Sequence, residues 1–183
     1  MTGAMKHLAI RLLEKGDVAK ISAAFRRLGW DKPRSQYEIY LAEQQEGIRN
    51  VFIAFVGRDF AGYVTVNWRP GYPPFQTDGV PEIQDFNVLR RFRRQGIGTR
   101  LMDEAERKVS ERSSVVGIGV GVSPDYGAAQ RLYVLRGYIP DGKGLMRHGR
   151  PVRRGDRITI DDGLVLYLTK ALSSGRRHGE RKA

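Results

Sequence analysis

Hydrophobic residues are arranged along this chain in two patterns, and each pattern predicts a different kind of secondary-structure element. Apolar side chains recur every three to four residues over 17–28 and 98–110, which predicts two amphipathic helices. Denser apolar runs, rich in β-branched and aromatic residues, predict six strands. These lie in HLAIRLLEKGD from His7, on both sides of the turn at 57–59, and in PEIQDFNVL, SVVGIGVGV and GLVLYLTKAL.

Weaker patterns complete the outline. A helix is predicted over 36–45 and another over 125–136, the latter ended by Gly137. Residues 69–79, rich in proline and glycine, predict a loop. Because strands and helices are mixed, with a β–α–β unit around 98–110, the pattern predicts a three-layer α/β or α+β domain.

Composition narrows the class of protein. A chain of 183 residues, 40% hydrophobic and 28% charged, fits one globular domain, here placed at 1–172. No apolar run approaches the length of a membrane span, and the N-terminus has no secretory pattern, so we expect a cytoplasmic protein without a membrane partner. The absence of cysteine excludes disulfides and a thiol nucleophile, and three scattered histidines predict no metal site.

The charge of the chain is strongly positive and unevenly placed. The net charge is +12 and the pI about 10.3, which favours anionic partners. Cations cluster at 90–100, at 143–157 and in the tail 173–183. The tail has no apolar anchor and is predicted to be disordered.

The first cluster coincides with a glycine motif. RRFRRQGIGTRLMDEAE, from Arg90, places Gly96 and Gly98 where a helix begins. Free N–H groups and the helix dipole favour an anion at such a turn. Three readings are open: a phosphate cradle, a nucleic-acid patch or a basic helix start. The P-loop pattern is absent, and Leu101 replaces the third glycine of the dinucleotide fingerprint.

The pattern that fits is R-x-x-G-x-G, formed by Arg93, Gly96 and Gly98. With the preceding strand, it resembles motif A of the GNAT superfamily of acyl-CoA N-acyltransferases. DYGAAQRLYVLRGYIP resembles motif B of that superfamily, and the spacing of the two motifs also fits. The motif B positions are Ala129, Leu132, Tyr133, Gly137 and Tyr138. The resemblance covers roughly residues 10–172.

The resemblance implies a fold and an activity. The fold would be a mixed, mostly antiparallel sheet flanked by helices and splayed between the fourth and fifth strands. The activity would be transfer of an acetyl group from acetyl-CoA to an amine by direct attack in a ternary complex, without a metal. Two positions depart from the family pattern: Tyr126 stands where many members have asparagine, and Arg90 where many have proline.

The resemblance also implies which residues hold the cofactor. Backbone N–H groups at the motif A turn would bind the pyrophosphate, with added charge from Arg91, Arg93 and Arg94. The main chain of Phe86, Asn87 and Val88 would pair with the pantetheine arm, and the Val88 N–H would face the thioester oxygen. The turn residues are Arg93, Arg94, Gln95, Gly96, Ile97, Gly98 and Thr99, and Tyr126, at the position of the family asparagine, is a further candidate for a contact with the CoA arm.

Candidates for the general base lie on the fourth strand. Glu82 stands six residues before Val88, where some family members carry a base. Strand alternation predicts that Glu82, Gln84, Phe86 and Val88 share one face and that Asp85 points to the other. A solvated strand-end carboxylate, Asp85 as the base, and a water relay without a single base all stay open.

Tyr133 matches the family tyrosine that donates a proton to the departing sulfur; its alternative is a core tyrosine on an amphipathic helix. For Tyr126 and Tyr138, packing in the core is the stronger alternative.

Two loops would line the acceptor pocket, with candidates Trp30, Asp31, Trp68, Tyr72 and Phe75. The acceptor could be a free amino acid, an amino-sugar or a protein amine, whereas small polyamines fit poorly with so basic a chain.

Two rival functions remain from the sequence. A basic nucleic-acid or ribosome-associated binding protein could use the same fold, with the 143–157 cluster and the tail as contacts. Against it, those arginines lack interleaved aromatic residues. A GNAT fold that binds acyl-CoA without turnover is the other rival. Dimers are common among similar proteins, so a homodimer is an open expectation.

Overall fold

A computed structural model describes residues 7–172, which form one mixed sheet with helices on both faces. The strands are β1 (Leu8–Leu12), β2 (Arg49–Val56), β3 (Asp59–Asn67), β4 (Glu82–Val88), β5 (Val115–Gly121), β6 (Ile139–Arg147), β7 (Arg150–Pro151) and β8 (Leu164–Ala171). The helices are α1 (Val18–Arg27), α2 (Arg34–Gln45), α3 (Pro73–Asp78), α4 (Ile97–Ser110) and α5 (Gly127–Leu135). The predicted tail at 173–183 lies outside the described residues.

The sheet has the order β1-β2-β3-β4-β5-β8-β6-β7, and β4 with β5 is its parallel pair. These two strands pair only at Glu82 with Gly117 and at Ile83 with Ile118. Beyond Ile83 the strands separate, while β4 stays paired with β3 as far as Val88. The predicted mostly antiparallel sheet, splayed between its fourth and fifth strands, is confirmed.

The core explains the periodic sequence pattern. The inward stripe of α4 is fully buried and consists of Leu101, Met102, Ala105 and Val109. On the opposite face of the sheet, Phe25 of α1 and Tyr37 of α2 pack around Tyr63 of β3, with ring centroids about 6 Å apart. The amphipathic helices predicted over 17–28 and 98–110 are therefore confirmed as α1 and α4.

The glycines of β5 make room for aromatic rings. A Cβ at Gly117 would stand 2.2 Å from the ring of Phe75, and one at Gly121 would stand 2.4 Å from the ring of Tyr126. Side chains at these two positions would displace both rings. The GIGVG run is therefore a packing feature of the splayed strand.

Three local expectations were wrong. The predicted loop at 69–79 contains α3, because Pro73 and Pro74 occupy its first turn, where no N–H is needed, and Gly79 closes it in the left-handed conformation. The region between α5 and β8 carries β6 and β7, which the sequence did not predict. The helix predicted over 125–136 begins two residues later, at Gly127, because residues 124–126 form a 3-10 turn.

Within residues 7–172, no helix combines the length and the apolar character that crossing a membrane requires.

Candidate active site

A cleft of about 1310 Å³ opens where β4 and β5 separate. One wall is the C-terminal half of β4 with the start of α4, and the other wall is α5 with the turn before it. The cleft is lined by Trp30, Phe86, Asn87, Val88, Arg90, Arg93, Arg94, Gly96, Gly98, Thr99, Asp125, Tyr126, Ala128, Ala129, Arg131, Leu132 and Leu135. Most of the predicted cofactor-binding residues are therefore brought together; Gln95 and Ile97 lie beside the lining, and Ile97 is buried in the core.

The turn before α4 leaves a run of backbone donors unpaired. Arg94 (φ 61°) and Gly96 (φ 77°) both adopt left-handed conformations, which coil the chain tightly between β4 and the helix. Within the described residues, none of the N–H groups of residues 94–99 has a hydrogen-bond partner, and the first donor engaged is Arg100, which bonds to the Gly96 carbonyl. Six successive free N–H groups at a helix start form a site for an anion.

The two glycines of the motif have different physical reasons. Gly96 is needed for its positive φ, and nothing stands within 4 Å of where its Cβ would be, so that position opens into free space. A Cβ at Gly98 would stand 3.1 Å from the ring of Phe86 and 3.6 Å from Val88. Gly98 therefore lets α4 pack closely on β4.

Some arginines of the 90–100 cluster make contacts with nearby residues, and others line the cleft. Arg93 donates from Nε to the Val88 carbonyl at 3.0 Å. Arg90, Arg94 and Arg131 also line the cleft and give it positive charge. Arg91 is on the far side, 3.6 Å from Asp59, so its predicted contribution to the cleft is not supported by its position.

The open edge of β4 presents the Val88 main chain to the cleft. The Leu89 N–H bonds to the Ala61 carbonyl of β3. Because a trans peptide directs its C=O and N–H oppositely, the Val88 carbonyl points away from β3. In an extended strand the N–H of the same residue points the same way, which places the Val88 N–H on the unpaired side of β4.

A β-bulge overturns the predicted faces of β4. The register of β3 with β4 shifts between Tyr63 and Thr65 of β3. The extra residue lies opposite this point, at Asp85 of β4, whose φ is 47°. Phe86 and Val88 consequently face α4. The other face, toward α1 and α2, carries four polar side chains instead: Glu82, Gln84, Asp85 and Asn87. The expectation that Asp85 points away from Glu82 was therefore wrong, because the extra residue in the bulge reverses the alternation.

Both carboxylate oxygens of Asp85 accept several hydrogen bonds. Lys32 lies 2.5 Å from its Oδ1, which also accepts from Asn87, while its Oδ2 accepts from Gln36, Tyr40 and Tyr63. These partners come from α2, the loop before it and β3. A carboxylate with its lone pairs engaged in this way fastens α2 to the bulge.

Glu82 lies at the closed end of the splay, just before the strands part, and is only 5% exposed. Burial raises its pKa to about 7, although the hydrogen bond from Gln84 and the charge of Arg49 act in the opposite direction. It does not line the cleft directly. The alternative of a solvated strand-end carboxylate does not hold, because Glu82 is buried.

Tyr133 is 5% exposed, with its ring centroid 5.9 Å from that of Tyr138. Burial, with a smaller effect from Tyr126, raises its pKa. Within residues 7–172 its hydroxyl has no hydrogen-bond partner, although the residue belongs to the helix that forms one wall of the cleft. A phenol that stays protonated and has no internal acceptor can donate to a ligand.

The other two tyrosines of this region have internal partners. Tyr126 lines the cleft and donates to Asp162 at 2.9 Å; burial and this acceptor raise its pKa to about 12. Tyr138 is buried and donates to Glu106. Glu106 also binds Arg136 and Lys170, so Tyr138 belongs to a polar network that joins α4 to β8.

The predicted acceptor-pocket residues fall into three places. Trp30 lines the cleft, and Asp31 is exposed beside it. Trp68 is elsewhere, bonded to Asn50 and covered by Arg112. Tyr72 and Phe75 form a second buried cluster with Met146, where Tyr72 stacks on Tyr167 at a centroid distance of 3.7 Å.

Two polar residues contact the Glu82 region without having been given a role from the sequence, although Gln84 was placed on the same strand face as Glu82. Gln84 donates to Glu82 at 2.8 Å, and Arg49 donates to Gln84 at 3.1 Å. Gln84 could have been found from its period-two spacing to Glu82. Arg49 is brought in by strand pairing from a distant part of the chain, so no local signal identified it.

Comparison with known proteins agrees with this geometry. The profile of the acetyltransferase (GNAT) family matches residues 17–138. A comparison with curated proteins finds no match.

Solved structures share the fold at low sequence identity. An acetyltransferase assigned to the GNAT family from Desulfovibrio desulfuricans is 15% identical, with a TM-score of 0.69 over 91% of this chain and 100% of that one. An acetyltransferase from Salmonella typhimurium, solved with its cofactor acetyl-CoA, is 16% identical, with a TM-score of 0.64 over 96% and 98%. A ribosomal-protein-alanine N-acetyltransferase from Brucella melitensis is 18% identical, with a TM-score of 0.66 over 90% and 99%.

Proposed function

This chain belongs to the acetyltransferase (GNAT) family, and from that premise we propose that it transfers an acetyl group from acetyl-CoA to an amine by direct attack in a ternary complex. Acetyl-CoA supplies the acyl thioester. The acceptor amine comes from a second substrate, and the transfer needs neither a metal nor a covalent enzyme intermediate.

The observation that carries this proposal is the run of free N–H groups at residues 94–99, placed on the wall of the cleft. The run is long enough to hold a diphosphate through the backbone. Beside it, the unpaired edge of β4 offers a strand to which the pantetheine amides can bond. The cations Arg90, Arg94 and Arg131 add attraction for the phosphates. The solved relative with acetyl-CoA supports the same choice of cofactor.

Val88 is proposed to stabilise the thioester oxygen. Its N–H lies on the unpaired side of β4, as derived from the Leu89 bond to Ala61. A backbone donor fixed by a strand needs no reorganisation when negative charge develops on a carbonyl oxygen. This is the oxyanion contact that acyl transfer requires.

Glu82 is proposed as the general base, acting on the amine directly or through a water. An alkyl ammonium has a pKa near 10 and must lose a proton before it can attack. A carboxyl with a pKa of about 7 is largely ionised just above neutrality and accepts that proton more readily than an exposed carboxylate. The cause is its burial at the closed end of the splay.

Tyr133 is proposed to donate a hydrogen bond to the departing sulfur. Its raised pKa keeps the phenol protonated at neutral pH, and its hydroxyl is not engaged by any described residue. Burial moves the pKa of the phenol further above that of a thiol, so its help consists of a hydrogen bond that strengthens as negative charge develops on the sulfur.

A thermal-shift titration tests the cofactor assignment. Acetyl-CoA should raise the melting temperature with a saturable dose response, since a ligand that binds only the folded state stabilises it. The stabilisation should persist when single-stranded RNA is present in low salt. If RNA alone stabilised the protein, with a steep loss of affinity in salt, the nucleic-acid function would replace this proposal.

An amine panel tests turnover separately. The chain contains no cysteine, so a thiol reagent detects only the CoA that the reaction releases. Stabilisation by acetyl-CoA without thiol release for amino acids, amino-sugars or peptide amines would identify a binder without turnover.

A further inference from the structure

The segment that follows α5 forms a projecting surface, here called the basic arm and defined as residues 139–163. It contains β6, the turn at 148–149, the short strand β7 and an exposed loop over 152–163. β7 is the last strand of the sheet. Its strands β6 and β7 were not predicted from the sequence pattern, and the proposed reaction leaves the arm without a role.

Most cations of the basic arm have no internal partner. Arg147 is paired with Asp161 at 2.8 Å. The other five side chains form neither an ion pair nor a side-chain hydrogen bond with any residue of 7–172, and all are exposed: Lys143, Arg150, Arg153, Arg154 and Arg157. The six Lys and Arg residues of the arm outnumber its four carboxylates, Asp141, Asp156, Asp161 and Asp162, and such an excess of positive charge attracts a negatively charged partner.

The basic arm is joined to the active site at two points. Its Asp162 accepts from Tyr126, which lines the cleft, at 2.9 Å. Its Asp141 accepts from Tyr72 at 2.7 Å, and Tyr72 stacks on Tyr167 beside the buried Glu82. A partner that lies on the arm is therefore adjacent to the region where an acceptor amine has to enter.

Apolar side chains are exposed within the same surface. Ile160 is 65% exposed and Ile158 is also exposed, next to Arg157. The arm contains no Phe, Tyr or Trp. Exposed cations beside exposed aliphatic side chains match a polypeptide that carries carboxylates and some apolar residues.

We propose that the basic arm docks an acidic polypeptide segment, and that the acceptor amine belongs to this polypeptide. The inference rests on the proposed acetyl transfer and names the substrate class for the same site. Arg150, Arg153 and Arg154 bind carboxylates, while Ile158 and Ile160 contact apolar side chains of the segment.

A nucleic acid fits the arm less well for two reasons. Proteins that bind single strands combine positive charge with aromatic rings on which the bases stack, and the arm lacks such rings. The proposed reaction also needs an alkyl amine, which a lysine side chain or a polypeptide N-terminus supplies. RNA is therefore an outcome that the experiment has to distinguish.

Direct binding is the first measurement. Two fluorescent peptides of equal length and lysine content are compared on protein saturated with CoA, which cannot donate an acetyl group; one has Asp and Glu around the lysine and the other has Asn and Gln in their place. The acidic peptide should bind at least about tenfold more tightly in low salt, and the preference should fall as salt rises.

Matched charge reversals locate the contact. Arg153→Glu with Arg154→Glu is compared with Arg26→Glu and Arg27→Glu, two exposed residues at the end of α1. Both double variants have the same net charge. The arm variant should lose the preference for the acidic peptide and raise its KM at least about tenfold, with kcat within about twofold. The α1 variant should keep both.

Three results would overturn the inference: no preference for the acidic peptide, equal losses in the two double variants, or RNA binding to the arm more tightly than the peptide. Failure of the proposed function looks different. In that case acetyl-CoA would fail to stabilise the protein, or thiol release would be absent with every amine, whatever happens at the arm.

Discussion

The side-chain amide of Gln84 donates from Nε2 to Oε2 of Glu82 at 2.8 Å. The orientation of the Gln84 amide is fixed by two donors on its other side, because the Gln84 Oε1 accepts from Arg49 at 3.1 Å and from Asn67 at 3.2 Å. An amide whose oxygen is held by two donors must present its NH₂ group on the other side. Gln84 thus stabilises the ionised form of a carboxyl that burial would otherwise keep neutral.

Replacing Gln84 should move the pH dependence of the reaction. In Gln84→Met the charged form of Glu82 loses its donor, so its pKa rises and kcat/KM should begin to fall at a higher pH than in the parent. The shift should be at least about 0.5 pH unit, equivalent to about 0.7 kcal/mol. Gln45→Met, at the exposed end of α2, is the control and should leave the profile unchanged. An unchanged profile in Gln84→Met would separate Glu82 from the rate-limiting proton transfer.

Glu82→Gln should raise the free energy of unfolding above neutral pH and lower the activity. The folded pKa of about 7 lies above the ordinary 4.5, so the stability conferred by the neutral carboxyl is full below pH 4.5 and is lost as the pH rises through 7. The amide variant cannot ionise. It should therefore match the parent near pH 4 and exceed its free energy of unfolding above pH 7, by an amount of the order of 3 kcal/mol.

The same variant should lower kcat by about 10²-fold or more, since general bases contribute about 10²–10⁴. Denaturant titrations at pH 4 and 8 and steady-state rates check both halves. A loss below about threefold in kcat would favour a water relay or an amine that arrives already deprotonated. In that case Asp85→Asn should be compared for stability as well as rate, because Asp85 also fastens α2.

Much of the fold could be predicted from the sequence because its signals are local. The stripe of α4 and the dense apolar runs of β2 and β3 are set by the burial of neighbouring residues, so each segment predicts its own element. The cofactor turn was found in the same way, since Gly96 and Gly98 act through their own backbone and nearest packing partner.

What could not be predicted depends on residues distant in the chain. The bulge at Asp85 reverses the faces of β4, and it is held by donors from α2 and β3 that no local pattern reveals. β6 tolerates Gly142 and Gly144 because its register with β8 is interrupted between Pro140 and Leu145. Both features are decided by tertiary pairing.

Tyr133→Phe should slow the reaction while leaving the fold intact. The ring keeps its packing against Tyr138, and the lost hydroxyl has no partner within the described residues, so the free energy of unfolding should change by less than about 1 kcal/mol. The chemical step, measured by single turnover, should slow by about 10²-fold. Tyr138→Phe is the matched control. It should lower stability, because its hydroxyl donates to the buried Glu106, with little effect on the rate. The opposite pattern would assign the proton donor elsewhere.

Gly96→Val should abolish stabilisation by acetyl-CoA. Its Cβ would enter the free space beside the unpaired N–H groups, and valine at φ 77° is also strained, at a cost of about 1–3 kcal/mol. Gly57→Val measures the strain alone, because Gly57 has φ 62° with equally open surroundings in the β2–β3 turn. Equal acetyl-CoA affinity in the two variants would place the pyrophosphate away from this turn.

Glu106→Gln should destabilise the fold without altering the cofactor site. Burial alone would raise the pKa of Glu106, but hydrogen bonds from Arg136 and Lys170 outweigh it and the pKa is lowered. The stability it contributes is therefore present above the ordinary pKa and lost as the pH falls below it. Neutralising one member of such a buried network costs about 3 kcal/mol or more. Denaturant titration at pH 7 should show the loss, which should vanish in acid.

The central claim is that the cleft between β4 and β5 joins acetyl-CoA to an amine. The most direct measurement uses acetyl-CoA labelled with ¹³C in the acetyl group, a panel of amines and peptides, and mass spectrometry of the products beside the release of CoA thiol. The account predicts a labelled amide formed in equal amount to the thiol, with the parent protein and not with Gly96→Val. Thiol release without a labelled amide, or a labelled product formed equally by Gly96→Val, would contradict it.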